Sequence, residues 1–177
     1  MKKSIIALTL SVSSSVCFAA GQGAGNVTFT GTVIDAPCSI TPDSVDQTID
    51  LGQISLAKLA NGTSNNGIST PVEFTIQLED CSLAPAPALN TVTATFSGPE
   101  GDTPGLLGIT GSAKGASVAL YNEDSSPLIL GAPSKPKPLI LGSNTLAYSA
   151  AVVGDGSSTL LSAGDFTATA SFELTYD

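Results

Sequence analysis

Asn26-Val-Thr-Phe-Thr-Gly-Thr-Val33 sets Val27, Phe29, Gly31 and Val33 in alternation with Asn26, Thr28, Thr30 and Thr32. A period of two is the signature of a strand with one apolar face. The preceding segment, Ala20-Gly-Gln-Gly-Ala-Gly25, offers nothing to pack. A well-patterned strand thus stands at the end of a loose tail and not inside a body. Two readings follow: the first strand of a β-sandwich, or a strand meant for another molecule. Gly31 is open in the same way. Mid-strand glycine costs about 0.5–1 kcal/mol against alanine, so it marks either a bulge or a place where another backbone comes close.

Upstream, Met1-Lys2-Lys3 is a basic region, Ile5 to Val16 an apolar and serine-rich core, and Cys17-Phe-Ala19 a small-residue cleavage site. The pattern predicts a secretory signal over residues 1–19, cut after Ala19. A lipidated Cys17 is disfavoured, because Val16 is a poor residue just before such a cut. No later apolar run approaches the length of a membrane span, so the mature chain is expected to be exported and soluble. Removing 19 of 177 residues leaves 158, the size of one domain. Lys58, Lys114, Lys135 and Lys137 then face 15 carboxylates for a net charge of −11, with no arginine or histidine. Nucleic acid is excluded as a partner, since phosphate binding rests on Lys and Arg. The acidic surface speaks for solubility and self-repulsion.

Two cysteines remain after cleavage, Cys38 and Cys81. In an exported chain a disulfide is the expected outcome, and a loop of this length is stabilised by roughly 3–4 kcal/mol on the chain-entropy account. The alternative is a metal or redox pair, but the spacing is far from Cys-x-x-Cys and no histidine is available.

Further along, Ile34 to Pro42 continues the extended run, with Pro37 marking a change of pairing. Residues 41–70 are rich in Asp, Ser, Asn and Gly, and Ser55 to Ala60 is predicted to make one helical turn ended by Asn61-Gly62. Val72, Phe74, Ile76 and Leu78 alternate with Glu73, Thr75, Gln77 and Glu79 in a half-buried strand that delivers Cys81. Pro85 and Pro87 break the chain. Strands follow over Thr91–Phe96, Ala116–Tyr121 and Thr145–Val153, with a Gly-rich, turn-prone stretch from Gly101 to Gly115. Leu128-Ile-Leu-Gly131 recurs as Leu139-Ile-Leu-Gly142 and predicts two short strands joined across an edge. The longest alternation comes last: Phe166, Ala168, Ala170, Phe172, Leu174 and Tyr176 against Thr167, Thr169, Ser171, Glu173 and Thr175. It predicts one full terminal strand. About seven short strands and no long helix indicate an all-β, immunoglobulin-like sandwich, without the core Trp of antibody domains.

The strand behind a Gly-rich tail, Cys38 within Ala36-Pro-Cys-Ser-Ile40, Cys81 ending a strand, and a last strand with penultimate Tyr176 together resemble pilin subunits of the bacterial chaperone–usher route. Asp46-Gln-Thr-Ile-Asp-Leu-Gly-Gln-Ile-Ser55 and Phe172-Glu-Leu-Thr-Tyr176 carry the same likeness to major rod subunits of P-type pili. The resemblance spans the mature chain and is vaguest over 98–145. It implies a sandwich lacking its last strand, completed by a donor strand from a periplasmic chaperone and then, at the outer-membrane usher, from a neighbouring subunit. It divides the chain into signal 1–19, extension 20–33 and pilin domain 34–177. The donor strand maps to Gly25, Val27, Phe29, Gly31 and Val33. The family's terminal signature fits Gly164, fourteenth from the end, with Phe166, Ala168, Ala170, Phe172, Leu174 and Tyr176 as the chaperone-binding groove edge. The function implied is a structural fibre subunit at the cell surface, supporting adhesion.

Other chemistry finds little purchase. Without histidine, and with the thiols expected to pair, the usual nucleophilic triads are absent. Paired carboxylates could serve a glycosidase, yet Asp43, Asp46 and Asp50, Glu79 with Asp80, and Glu123 with Asp124 all lie beside turn residues and read as solvated loop charge. No catalytic residue, metal site or cofactor is expected. The alternatives kept are a tip adaptor of the same fibre and a free carbohydrate-binding sandwich.

Overall fold

The computed structural model describes residues 25–34, 36–60, 67–83, 91–156 and 161–177. The predicted signal over 1–19, the start of the extension and the Asn61-Gly62 and Pro85/Pro87 breaks lie outside the described residues. The chain divides into two units, Met1–Ile34 and Asp35–Asp177. In the first, residues 25–34 carry no strand. The alternation over 26–33 is thus unused as a strand in the single chain.

The second unit runs β1 (Ser39–Ile40), α1 (Pro42–Val45), α2 (Leu56–Ala60), β2 (Val72–Cys81), β3 (Thr91–Ser97), β4 (Leu107–Gly108), β5 (Thr110–Gly111), β6 (Ala116–Asn122), β7 (Pro127–Leu128), β8 (Lys137–Pro138), β9 (Gly142–Gly154), β10 (Phe166–Thr167) and β11 (Ser171–Tyr176). One sheet has the order β1-β2-β9-β6-β4, with β7 also on β6, and a second has the order β11-β3-β8. A two-stranded piece joins β10 to β5. Every pairing is antiparallel.

Alternation explains the core. Phe74 and Ile76 of β2 stand opposite Tyr148 and Leu146 of β9, and Phe96 of β3 comes from the other sheet to meet them. Its ring lies edge-on to Tyr148 at 5.1 Å and to Phe74 at 6.1 Å between centroids. Such edge-to-face pairs add about 0.5–1.5 kcal/mol beyond the area they bury.

The delivery of Cys81 needs a device that alternation does not reveal. Ile76 and Leu78 point inward, so strict parity would turn residue 81 outward. The register shifts between Leu78 and Cys81, and Asp80 takes a left-handed φ of 54°. This bulge restores the inward direction, and Cys81 is buried and disulfide-bonded to Cys38. The expected disulfide is present.

Three expectations change. The terminal alternation is not one strand: β10 and β11 belong to different sheets, with 168–170 between them. A Cβ on Gly98 would lie 2.7 Å from the Thr169 carbonyl oxygen and 3.5 Å from Ala170 Cα. The chain therefore crosses close over the end of β3 as it changes partner. The Leu-Ile-Leu-Gly echo does not make two strands joined across an edge. The short strands there are β7 and β8, which pair with β6 and β3 in different sheets. The stretch 101–115 holds two short strands, β4 and β5, where only turns were expected.

Candidate functional site

β11 is the outer strand of its sheet, paired with β3 alone among the described residues. Phe172 stands opposite Phe96, Leu174 opposite Ala94, and Tyr176 opposite Val92. Directly opposed residues of an antiparallel pair share one face of the sheet. Yet Val92, Ala94 and Phe96 are only 1%, 0% and 4% exposed, whereas Phe172, Leu174 and Tyr176 are half-buried. The same apolar face is covered over β3 and uncovered towards β11. A strand laid along the free edge of β11 would cover it and pair its backbone.

The ends of this edge are fixed. Thr91 and Asp177 exchange backbone hydrogen bonds at 2.9 and 3.0 Å, so the last residue is tied to the start of β3. At the other end Ser112 and Ala113 donate their N–H groups to the Asp165 carbonyl at 3.0 and 3.2 Å, and Asp165 N–H donates to Ser112 Oγ at 3.0 Å. A Cβ on Gly164 would stand 2.5 Å from the Ala113 nitrogen, too close for any side chain. Phe166 and Ala168 are half-buried against the core beside Phe172, Leu174 and Tyr176. Ala170 is exposed, because the crossing at 168–170 interrupts the alternation. Burial raises the Tyr176 hydroxyl pKa above its ordinary value.

Residues 25–33 hold another set of bare apolar side chains. Val27, Phe29 and Val33 are 76%, 90% and 100% exposed, and a Cβ on Gly31 or Gly25 would meet nothing within 4 Å. Three large apolar side chains on alternate residues are thus bare in the single chain.

The carboxylates of the three clusters are all exposed, but not all in loops: Asp43 lies in α1, and Glu79 and Asp80 lie in β2. Lys135 pairs with Asp124, and Lys137 with Glu123 at 2.7 Å. The Lys135 ammonium, with help from Ser126, holds the Asp124 carboxyl well below the usual carboxylate range. Among the described residues no group of three or more His, Cys, Asp or Glu side chains is placed to hold a metal ion, and no helix is long and apolar enough to cross a membrane.

Sequence reasoning missed a set of buried serines that serve as strand partners. Ser44 Oγ accepts the Gln77 N–H at 3.0 Å, Ser134 Oγ that of Ala94 at 2.9 Å, and Ser69 Oγ that of Val152 at 2.9 Å. Ser69 and Ser134 sit in loops and Ser44 in the one-turn α1, all within polar stretches where nothing in the pattern separates a buried serine from a solvated one.

The family model described as "Fimbrial protein" matches residues 27–177. The chain belongs to the fimbrial protein family. This fimbrial chain is 49% identical to the Fimbria A protein of Serratia marcescens, over 92% of its own length and 90% of the relative's. It is 43% identical to the Major MR/P fimbria protein of Proteus mirabilis (strain HI4320), over 97% and 95%. Its fold matches a subunit in a solved chaperone–usher pilus, a structure concerned with rod uncoiling, at a TM-score of 0.76 and 32% identity. That match covers 89% of this chain and 98% of the other. The fold is the immunoglobulin-like sandwich of chaperone–usher pilins, and the fimbrial chain is a structural fibre subunit.

Proposed function

We propose that this fimbrial subunit is the repeating rod pilin of its fibre and that it polymerises by donating residues 25–33 to the open edge of β11 in a neighbouring copy. The observation that carries the reading is the step in burial across the β3–β11 pair, from covered Val92, Ala94 and Phe96 to half-covered Tyr176, Leu174 and Phe172. Strand addition to a sheet edge is a general recognition mode, of which chaperone–pilin pairs are themselves an established example: the backbone supplies affinity, and alternate side chains in pockets supply specificity. Val27, Phe29 and Val33 have the exposure and the spacing to be the pocket-fillers. Their burial would stabilise the joint by roughly 5–9 kcal/mol as an upper figure, at about 1.5–3 kcal/mol each.

Before assembly the same edge is held by a strand from a periplasmic chaperone, and subunits are exchanged at the outer-membrane usher on the way to the cell surface. The relatives' description as a major fimbria protein and the kinship with a pilus rod support the rod position over a tip adaptor. Phe29→Asp tests the mapping. It leaves Phe172 and Tyr176 untouched, so the chaperone-bound subunit accumulates normally, while fibres counted by electron microscopy disappear. Normal fibres from this variant would refute the donor assignment.

A further inference from the structure

The Leu-Ile-Leu-Gly echo folds alike at both sites. Leu128 and Leu139 are buried, Ile129 and Ile140 are exposed, and Gly131 and Gly142 take left-handed φ values of 76° and 86°. The copies part at the third position. Leu130 packs against the core, whereas Leu141 is 70% exposed beside Ile140 at 63%. This apolar pair does not ride on a loose loop. Asn144 Oδ1 accepts the Ile140 N–H at 2.9 Å and its Nδ2 donates to the Ile140 carbonyl at 2.8 Å, and Leu139 anchors the turn in the core.

The turn sits where the chain enters the domain. Gly142 stands opposite Cys81, Cys81 is bonded to Cys38, and Ser82 N–H donates to the Pro37 carbonyl at 2.8 Å. From Val33 to Pro37 is four residues, a reach of at most about 14 Å. A neighbour whose groove holds residues 25–33 must therefore stand within that reach of Pro37, and the Ile140–Leu141 turn is tied to Pro37 through Gly142, Cys81 and the Cys38 disulfide. Subunits this acidic repel one another, and an apolar contact beside the joint would offset part of that repulsion.

We infer that Ile140 and Leu141 form a second contact between successive copies, packing on the copy that receives this chain's extension. The contact rests on the donor-strand reading and adds to it: the joint between subunits is a braced apolar seat and not a bare hinge. Its occupant is another copy of this chain.

Hydroxyl-radical footprinting of the wild-type chain reads both ideas at once. It compares the single chaperone-held subunit with the two-subunit species that precedes longer fibres. One copy of the two donates, so Phe29, Ile140 and Leu141 are each expected to lose about half their reactivity on moving from surface to buried interface. Loss at Phe29 with Ile140 and Leu141 unchanged would overturn the second contact and leave strand donation standing. Undiminished reactivity at Phe29 would overturn strand donation, and the second contact with it.

Discussion

Two glycines carry opposite demands. Gly164 lies where the chain is bonded to Ser112 and Ala113, and a Cβ there would stand 2.5 Å from the Ala113 nitrogen. Gly31 has nothing within 4 Å of its own Cβ position in the single chain. Gly164→Ala should therefore lower the subunit's own stability by about 1–3 kcal/mol, the usual cost of overpacking. Gly31→Ala should leave it within about 0.5 kcal/mol and instead slow assembly. Urea denaturation of the mature chain, run beside an assembly time course, separates the two; equal stability losses would contradict it. Gly164 was legible only as part of the family's terminal signature, and its physical reason is a backbone approach that no local pattern records. Likewise the inward turn of Cys81 rests on Asp80 and a one-residue bulge. Alternation located Phe74, Ile76 and Leu78 correctly and would have sent Cys81 to the wrong face.

Among the elements, long alternations were readable and short pairings were not. β2, β3, β6 and β9 announce themselves by apolar residues at every second place, and α2 by a short run ended by Asn-Gly. β4, β5, β7 and β8 are two residues each, too short to show a period, and long-range packing alone decides their partners. The terminal alternation misled by being too good: apolar parity runs unbroken from Phe166 to Tyr176, while the crossing beside Gly98 splits the strand. The sandwich built from these elements buries its aromatic hydroxyls to different depths, and burial raises the pKa of Tyr121, Tyr148 and Tyr176 from 10.0. At Tyr148 the rise from burial is opposed by the Ser134 hydroxyl contact and added to by the Glu123 charge. An unfolded tyrosine releases its proton near 10.0 while a folded one retains it, so above that pH the unfolded chain binds fewer protons. Stability should be level with respect to these groups below 10.0 and fall as pH rises through the folded values. Tyr148→Phe should make that alkaline fall shallower. Urea midpoints measured across this range check the sign; a midpoint that rises with alkali would contradict it.

For the whole molecule, the central claim is that one chain supplies both halves of a polymer joint. One half is a bare strand-forming segment, Val27 to Val33, and the other is an uncovered sheet edge, Phe172 to Tyr176. Composition left little else to choose: an acidic chain of net charge −9 without arginine or histidine suits neither nucleic acid nor the usual triads. The fold class and family were legible because the alternations and the two cysteines fall in a specific order along the chain. The joint itself was legible only as a resemblance, since a strand for another molecule and a strand for its own body have the same pattern. The direct measurement is mass in solution by light scattering, for the mature chain and for the chain lacking residues 20–33, each produced with the chaperone. The full chain should grow into polymers, while the truncated chain should remain a folded, chaperone-bound monomer whose far-ultraviolet spectrum is unchanged. Polymers from the truncated chain, or a full chain that stays monomeric under the same conditions, would contradict strand donation from the extension.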